Sequence, residues 1–151
     1  MAKITLKNLS HSYLLKQNNN DDWALRNVNI DWKDGGAYAL LGPSGCGKTT
    51  LLNIISGLLK PTKGEVLFDD KDMTTLNPVE RDIAQIFQFP VIYDTMTVYN
   101  NLAFPLKNRG LSQTEIDIKV KEIAEMLELT STLKNRASGL TADGKQKISL
   151  G

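Results

Sequence analysis

Residues 42–49 read GPSGCGKT and match the pattern G-x-x-x-x-G-K-[ST] at every fixed position. A nearly all-apolar run, residues 37–41, precedes this stretch, and apolar residues at helical spacing follow it through residues 48–56. We therefore predict a buried strand of a parallel sheet, then a glycine-rich turn, then a helix. That order is typical of an α/β protein with a phosphate-binding loop, the P-loop.

The residue types in this loop suit the binding of a polyphosphate. Glycines let the backbone turn its N–H groups toward phosphate oxygens without obstruction by side chains. The following helix directs its first amides, and the positive end of its dipole, at the same anion. Lys48 would reach the β- and γ-phosphates, and the Thr49 hydroxyl would bind Mg²⁺. The alternative is a glycine turn that binds no ligand. The predicted binding residues of the loop are Gly42, Pro43, Ser44, Gly45, Cys46, Gly47, Lys48, Thr49 and Thr50.

Short strands are predicted around the loop in the first half of the chain. Alternation of apolar and polar residues indicates two of them, at residues 4–6 and 28–32. A third strand is predicted at residues 66–68, closed by an aspartate-rich turn at residues 69–72, and a fourth at residues 84–87.

Helical patterns replace strand patterns from about residue 90. Residues 112–115, Ser-Gln-Thr-Glu, form a capping box, and Leu111 and Ile116 stand where a hydrophobic staple requires them. One apolar helical stripe follows, made of Ile116, Val120, Ile123, Ala124 and Leu127. We therefore expect two subdomains: residues 1–90, which contain the P-loop, and residues 91–151, which contain the helices.

Composition excludes several classes of protein. Lys and Arg number 18 against 17 Asp and Glu, and the net charge of +1 gives no electrostatic reason to bind nucleic acid. No apolar run reaches the roughly 20 residues that cross a bilayer. The single cysteine, Cys46, cannot form an internal disulfide and suits the loop as a small filler. The single histidine, His11, is interpreted as a solvated strand residue.

Three stretches resemble one family. Residues 42–68, GPSGCGKTTLLNIISGLLKPTKGEVLF, resemble the Walker A region of ABC ATPases. Residues 86–106, IFQFPVIYDTMTVYNNLAFPL, resemble the Q-loop segment of that family, and residues 8–13, NLSHSY, resemble its A-loop. The chain is thus similar to ABC transporter nucleotide-binding subunits over nearly its whole length. In particular it resembles importers of carbohydrate and glycerol type, relatives of the maltose importer's ATPase.

The resemblance implies an α/β P-loop NTPase: a RecA-like core with an N-terminal antiparallel β-subdomain, plus part of a helical subdomain. It implies ATP and Mg²⁺ as cofactors and gives Tyr13 the role of stacking on adenine; the alternative is an ordinary edge-strand aromatic. It implies that Gln88 contacts Mg²⁺ and the attacking water, so that Lys48 and Gln88 are catalytic and Thr49 and Gln88 bind the metal. The alternative for Gln88 is a solvent-facing strand end. Tyr93 would line the groove for a coupling helix, or be ordinary surface.

The same resemblance implies the partners and the reaction. The complete subunit would be a transport-coupled ATPase on the inner face of the cell membrane, pairing with a second ATP-binding subunit as a homo- or heterodimer. It would drive transmembrane permease subunits and bind no nucleic acid. Two alternatives are a soluble ABC-type ATPase of translation or DNA repair and a nucleotide-binding module without catalysis.

The sequence departs from the family pattern at the signature motif L-S-G-G-Q. Leu140, Thr141, Ala142, Asp143 and Gly144 stand there, so an aspartate and an alanine replace two glycines. One hypothesis is a degenerate signature in a heterodimer. The other is a family variant in which Thr141 and the helix N-terminus suffice, and the basic residues that follow resemble the family's continuation.

The chain also ends at Gly151, before the positions of Walker B, the catalytic glutamate and the switch histidine. We therefore expect a fragment with poor solubility, weak nucleotide affinity and no turnover on its own.

Overall fold

The computed structural model describes residues 2–16 and 19–151 of the chain. These divide into two compact units, Met1–Gln85 and Ile86–Gly151. Each unit has its own hydrophobic core. In the described part of the chain, no helix is both long and apolar enough to cross a membrane.

The first unit is a four-stranded antiparallel sheet with one α-helix. The strands lie in the order β2-β1-β3-β4. A two-residue hairpin joins β3 to β4, and its aspartates Asp69 and Asp70 have φ values of 47° and 65°. Positive φ at both central residues is the geometry of a type I′ turn. The elements are β1 (Ile4–His11), a 3₁₀ turn (Asn20–Asp22), β2 (Leu25–Trp32), α1 (Lys48–Ile55), β3 (Lys63–Phe68) and β4 (Lys71–Asp72).

The core of the first unit positions the P-loop helix. Ile54 of α1 is fully buried, in one cluster with Leu6 and Leu9 of β1 and Val66 of β3. Gly57, with φ 82°, ends the helix as the sequence predicts. The predicted helix and the strands at residues 4–6, 28–32 and 66–68 are therefore confirmed.

Two predicted strands are wrong. Residues 37–41 and 84–87 have no strand structure. Leu40, in the first segment, and Ile83, just before the second, nevertheless pack against the core. A strand requires a neighbour for its backbone hydrogen bonds, and none of the described residues pairs with either segment. The apolar run indicated burial, but burial does not supply a partner strand. A groove of about 910 Å³ remains beside these segments, with Trp32 and Leu52 in its walls.

The second unit is helical. A capping box at Ser112 starts α3: the Ser112 amide donates to the Glu115 carboxylate at 2.9 Å, and the Glu115 amide donates to the Ser112 hydroxyl at 3.4 Å. Ile116, Val120 and Ala124 are buried, which confirms the predicted stripe. The elements are α2 (Val98–Asn108), α3 (Gln113–Met126), α4 (Ala142–Leu150) and 3₁₀ turns at Thr130–Thr132 and Ala137–Gly139.

Candidate functional site

The backbone of the P-loop depends on glycine at two positions for different reasons. Gly45 and Gly47 have φ values of 83° and 92°, a left-handed region that L side chains rarely adopt. A Cβ on Gly47 would lie 2.5 Å from the carbonyl oxygen of Ala24, whereas a Cβ on Gly45 would meet nothing within 4 Å. Gly47 therefore allows a close approach of two backbones, and Gly45 serves the conformation alone.

The loop offers a set of unpaired amide donors. Among residues 2–16 and 19–151, no carbonyl or side chain accepts from the amide of Gly45 or from the amides of residues 47–50. Four of these five N–H groups belong to the N-terminus of α1. Such donors, together with the helix dipole, favour an anion. The Cys46 amide differs, because it donates to the Pro43 carbonyl at 3.3 Å and so closes a turn within the loop.

The ammonium group of Lys48 lies in the same loop. Its Nζ donates to the carbonyl oxygens of Gly42 and Pro43, both at 2.8 Å. The Cys46 Sγ lies 3.5 Å from that Nζ, and a Cβ on Gly42 would come within 2.6 Å of the same sulfur. Lys48 is half-buried, so a positive charge is held among carbonyl groups at the loop that also carries the free amides.

Thr49 and Thr50 have different environments in the first turn of α1. Thr49 is exposed at the start of the helix. Thr50 is buried, and its Oγ1 lies 3.1 Å from the hydroxyl of Tyr13. In the described part of the chain, no group of three or more His, Cys, Asp or Glu side chains is placed to hold a metal ion.

The structure brings Tyr13 to the P-loop helix. Besides the contact with Thr50, its ring meets the ring of His11 at 4.7 Å between centroids and 87° between planes, while 66% of Tyr13 stays exposed. The prediction that His11 is solvated is wrong, because this residue is only 6% exposed. The β1 strand carries it into the interior, where the side chains of Thr62 and Tyr13 cover it.

Sequence reasoning missed Arg81, which is only 4% exposed. Its guanidinium donates to the carbonyls of Ile54 and Ile55 at 2.8 and 2.9 Å, and so caps the C-terminal end of α1. It also donates to the carbonyls of Leu76 at 2.9 Å and Thr74 at 3.2 Å. Burial lowers the pKa of Arg81, and the nearby charge of Asp72 opposes that shift. No spacing in the sequence indicates this role, because the partners are backbone carbonyls of separate segments.

In the second unit, Gln88 is exposed within an irregular segment. Its neighbour Phe87 accepts a hydrogen bond from the Gln146 side chain at 3.4 Å, so the segment is attached to α4. The P-loop belongs to the first unit, and the relation of Gln88 to it stays a prediction.

The family of this chain is identified by its match to a known protein-family model. A family model described as ABC transporter matches residues 25–151. This chain belongs to the ABC transporter family. The predicted family and the predicted α/β P-loop NTPase fold are thereby confirmed.

Individual relatives in the ABC transporter family agree with this assignment. The trehalose/maltose import ATP-binding protein of Thermococcus litoralis is 43% identical over 134 residues, covering 85% of this chain and 36% of that protein. The sn-glycerol-3-phosphate import ATP-binding protein of Rhodopseudomonas palustris is 37% identical, covering 100% of this chain and 40% of that protein. A dimeric ATP-binding cassette in a post-hydrolysis state, bound to ADP and Pi, has a TM-score of 0.83 at 30% identity, covering 97% of this chain and 67% of that one.

The chain thus spans about 40% of the length of these import proteins. The segment compared above with the family's signature motif lies at the start of α4. Thr141 caps that helix, since its Oγ1 accepts from the Gly144 amide at 3.2 Å. Asp143 lies in the first turn with its side chain 81% exposed, and it lies 4.0 Å from the ammonium of Lys147. A carboxylate at this position interacts favourably with the helix dipole.

Proposed function

We propose that this chain binds ATP with Mg²⁺ through residues 42–50, as part of the ATP-binding subunit of an ABC importer. The observation that supports this most directly is the set of unpaired amides at Gly45 and residues 47–50, next to the ammonium of Lys48. An uncompensated row of N–H groups next to a cation suits a phosphate-bearing anion such as a nucleoside triphosphate.

Each predicted residue has a role in this proposal. Lys48 would bind the β- and γ-phosphate oxygens in place of its carbonyl partners, and the Thr49 hydroxyl would hold Mg²⁺. When bound, Mg²⁺ neutralises charge on the transferring phosphoryl group. The exposed ring of Tyr13 stacks on adenine. Gln88 orients the attacking water in the complete subunit.

We also propose two subdomains. Residues 1–90 would form the ATP-binding core with its β-subdomain, and residues 91–151 would form part of the helical subdomain and the signature region. Support comes from the two separate cores of the first and second units.

The complete protein would couple ATP hydrolysis to solute import, of carbohydrate or glycerol type, because the relatives named above are import proteins for such solutes. It would dimerise with a second ATP-binding subunit, as the related cassette bound to ADP and Pi does. Transmembrane permease subunits would hold it at the inner face of the cell membrane. The names of these relatives favour import over a role in translation or DNA repair.

Binding of a fluorescent ATP analogue in the presence of Mg²⁺ tests the proposal. Lys48→Ala should lower the affinity at least about tenfold, since charge-assisted hydrogen bonds to phosphate are lost. Lys60→Ala is the matched control, because Lys60 is exposed beyond the other end of α1. An affinity that Lys48→Ala leaves unchanged would disprove the assignment of the P-loop.

The signature segment requires a separate test in the full-length subunit assembled with its partners. Asp143→Gly should raise the ATPase rate if the signature is degenerate, because the carboxylate then repels the γ-phosphate. An unchanged rate would instead support a family variant in which the Thr141 cap suffices.

A further inference from the structure

The segment that carries Tyr13 is held by three hydrogen bonds of Ser12. The Ser12 amide donates to the Thr62 hydroxyl at 3.1 Å, and the Ser12 hydroxyl donates to the Asp22 carbonyl at 2.6 Å. The Ser12 hydroxyl in turn accepts from the Leu14 amide at 3.1 Å. Ser12 is only 7% exposed, so the residue that precedes Tyr13 is fixed by buried hydrogen bonds.

Thr62 contacts this segment at several atoms. Its amide donates to the Ser10 carbonyl at 3.0 Å, and its hydroxyl lies 3.4 Å from the Ser12 carbonyl oxygen and 3.5 Å from Nδ1 of His11. A hydroxyl has one hydrogen to donate and two lone pairs. The Thr62 hydroxyl therefore accepts from Ser12 and donates to one of the other two. Thr62 lies in the connection from α1 to β3, so these contacts join that connection to the segment that carries Tyr13.

His11 holds the ring itself. It is buried, and the T-shaped arrangement with Tyr13 is the geometry that aromatic pairs prefer. In the part of the chain that the structure describes, Nε2 of His11 is buried and has no hydrogen-bond partner. The ring therefore acts in this site through its packing on Tyr13 and through Nδ1. A T-shaped contact occupies at most one face of the Tyr13 ring, which leaves a face available to a base.

We propose that His11 and Thr62 are positioning residues for nucleoside recognition, which rests on the proposed function. They hold the Tyr13 ring while its hydroxyl contacts Thr50, so the ring stands at the same end of α1 as the phosphate-binding amides. The distance between the base subsite and the phosphate subsite is then set before the nucleotide arrives. Preorganisation of this kind raises affinity by lowering the cost of ordering on binding.

The test separates the base from the phosphates. Calorimetry with Mg²⁺ measures the affinity for ATP and for inorganic tripolyphosphate, which lacks a base. His11→Leu should weaken ATP binding about three- to tenfold, the range of one aromatic pair, and change tripolyphosphate binding less than about twofold. His11→Phe should retain most of the ATP affinity, because it keeps the ring contact.

Thr62 provides a second pair of variants, at an exposed residue. Thr62→Val should weaken ATP but not tripolyphosphate, and Thr62→Ser should restore the affinity because it keeps the hydroxyl. In a Tyr13→Leu background, His11→Leu should cause no further loss, since the ring that it positions is gone.

Equal losses for ATP and tripolyphosphate, or no loss for either, would overturn this inference. Failure of the proposed function is a different result, in which Lys48→Ala changes neither affinity. If Lys48→Ala lowers both affinities while the His11 and Thr62 variants show no selectivity, only the positioning role fails.

Discussion

Arg81 donates from its Nη1 to the carbonyl oxygen of Ile54 across 2.8 Å, so a buried cation caps the C-terminal end of the helix that follows the P-loop. The space for this contact depends on Gly57. A Cβ there would lie 2.7 Å from the Arg81 Nε. The guanidinium thus connects the helix to the segment that precedes Gln85, within the first unit.

Replacing Arg81 should destabilise the first unit. Arg81→Met removes four hydrogen bonds and leaves buried carbonyls unpaired, and we expect a loss of about 2–4 kcal/mol in the free energy of unfolding. Arg81→Lys should recover less than half, because one ammonium cannot match a planar fork of five donors. Urea unfolding measures both.

The control for this experiment is Arg26→Met, at an exposed arginine of the same unit. It should change stability by no more than about 0.5 kcal/mol. Equal effects of the two methionine variants would show that the capping of α1 by Arg81 contributes nothing measurable.

The two left-handed glycines of the P-loop should respond differently to alanine. Gly45→Ala should cost about 1–2 kcal/mol, the cost of placing an L residue in this region. Gly47→Ala should cost more, because its Cβ also collides with the Ala24 carbonyl and must displace backbone. We expect Gly47→Ala to weaken ATP at least about tenfold further than Gly45→Ala, since it displaces the free amides.

Unfolding in urea and binding of a fluorescent ATP analogue check this pair together. Gly110→Ala serves as the reference, since Gly110 has φ 77° with nothing within 4 Å of its Cβ position and lies in the second unit. Gly110→Ala should lower the free energy of unfolding but leave the affinity for the nucleotide unchanged. Equal nucleotide affinities of the Gly45 and Gly47 variants would contradict the close-approach argument.

Features that depend on neighbours along the chain were predictable. The helix after the P-loop, the capping box at Ser112 and the alternating strands follow from spacing and from turn chemistry within a few residues. Features that depend on distant partners were not. Arg81 donates to backbone carbonyl groups, which every residue has, so the sequence does not indicate its partners. The burial of His11 depends on Thr62 and Tyr13, and no local sequence pattern indicates that these residues contact it.

The incorrect strands show a related limit. Residues 37–41 are apolar enough for the interior, and the sequence reports that preference directly. Strand structure additionally requires a pairing edge, which is a property of the surrounding sheet. Likewise, the loop glycines predicted a phosphate site, but the engagement of the Cys46 amide with Pro43 depends on the loop's three-dimensional turn.

The capping box should make the stability of the second unit depend on pH. Hydrogen bonds from the Ser112 hydroxyl, and then from its amide, hold the pKa of Glu115 below its ordinary value. A carboxyl group with a lowered pKa stabilises the fold above the ordinary glutamate pKa of about 4.3, and this contribution is lost as the pH falls through the lowered value. Glu115→Gln keeps an acceptor for the cap but does not titrate.

Urea unfolding of the wild type and of Glu115→Gln at pH 7 and pH 3 checks the sign. The wild type should be the more stable at pH 7, and the difference should shrink at pH 3. Ser112→Ala should cost about 1 kcal/mol at pH 7, as the loss of a serine N-cap does. A difference between wild type and Glu115→Gln that grows toward acid would refute the argument.

Asp94 and Lys145 provide the last prediction, because their ion pair at 2.8 Å joins the segment after Gln88 to α4 within the second unit. The Lys145 side chain is 25% exposed and that of Asp94 is 59% exposed, so water screens the pair in part. A double-mutant cycle of Lys145→Met and Asp94→Asn should give a coupling of about 0.5–1 kcal/mol at low salt. The coupling should fall in 1 M NaCl, where the Debye length is about 3 Å.

The matched control is the pair Lys121 and Glu125 on α3, which are 3.9 Å apart and 73% and 59% exposed. This pair should couple by only about 0.3 kcal/mol. A coupling for Asp94 and Lys145 no larger than this reference would mean that the ion pair adds nothing measurable to the attachment of this segment to α4, to which the hydrogen bond from Gln146 to Phe87 also contributes.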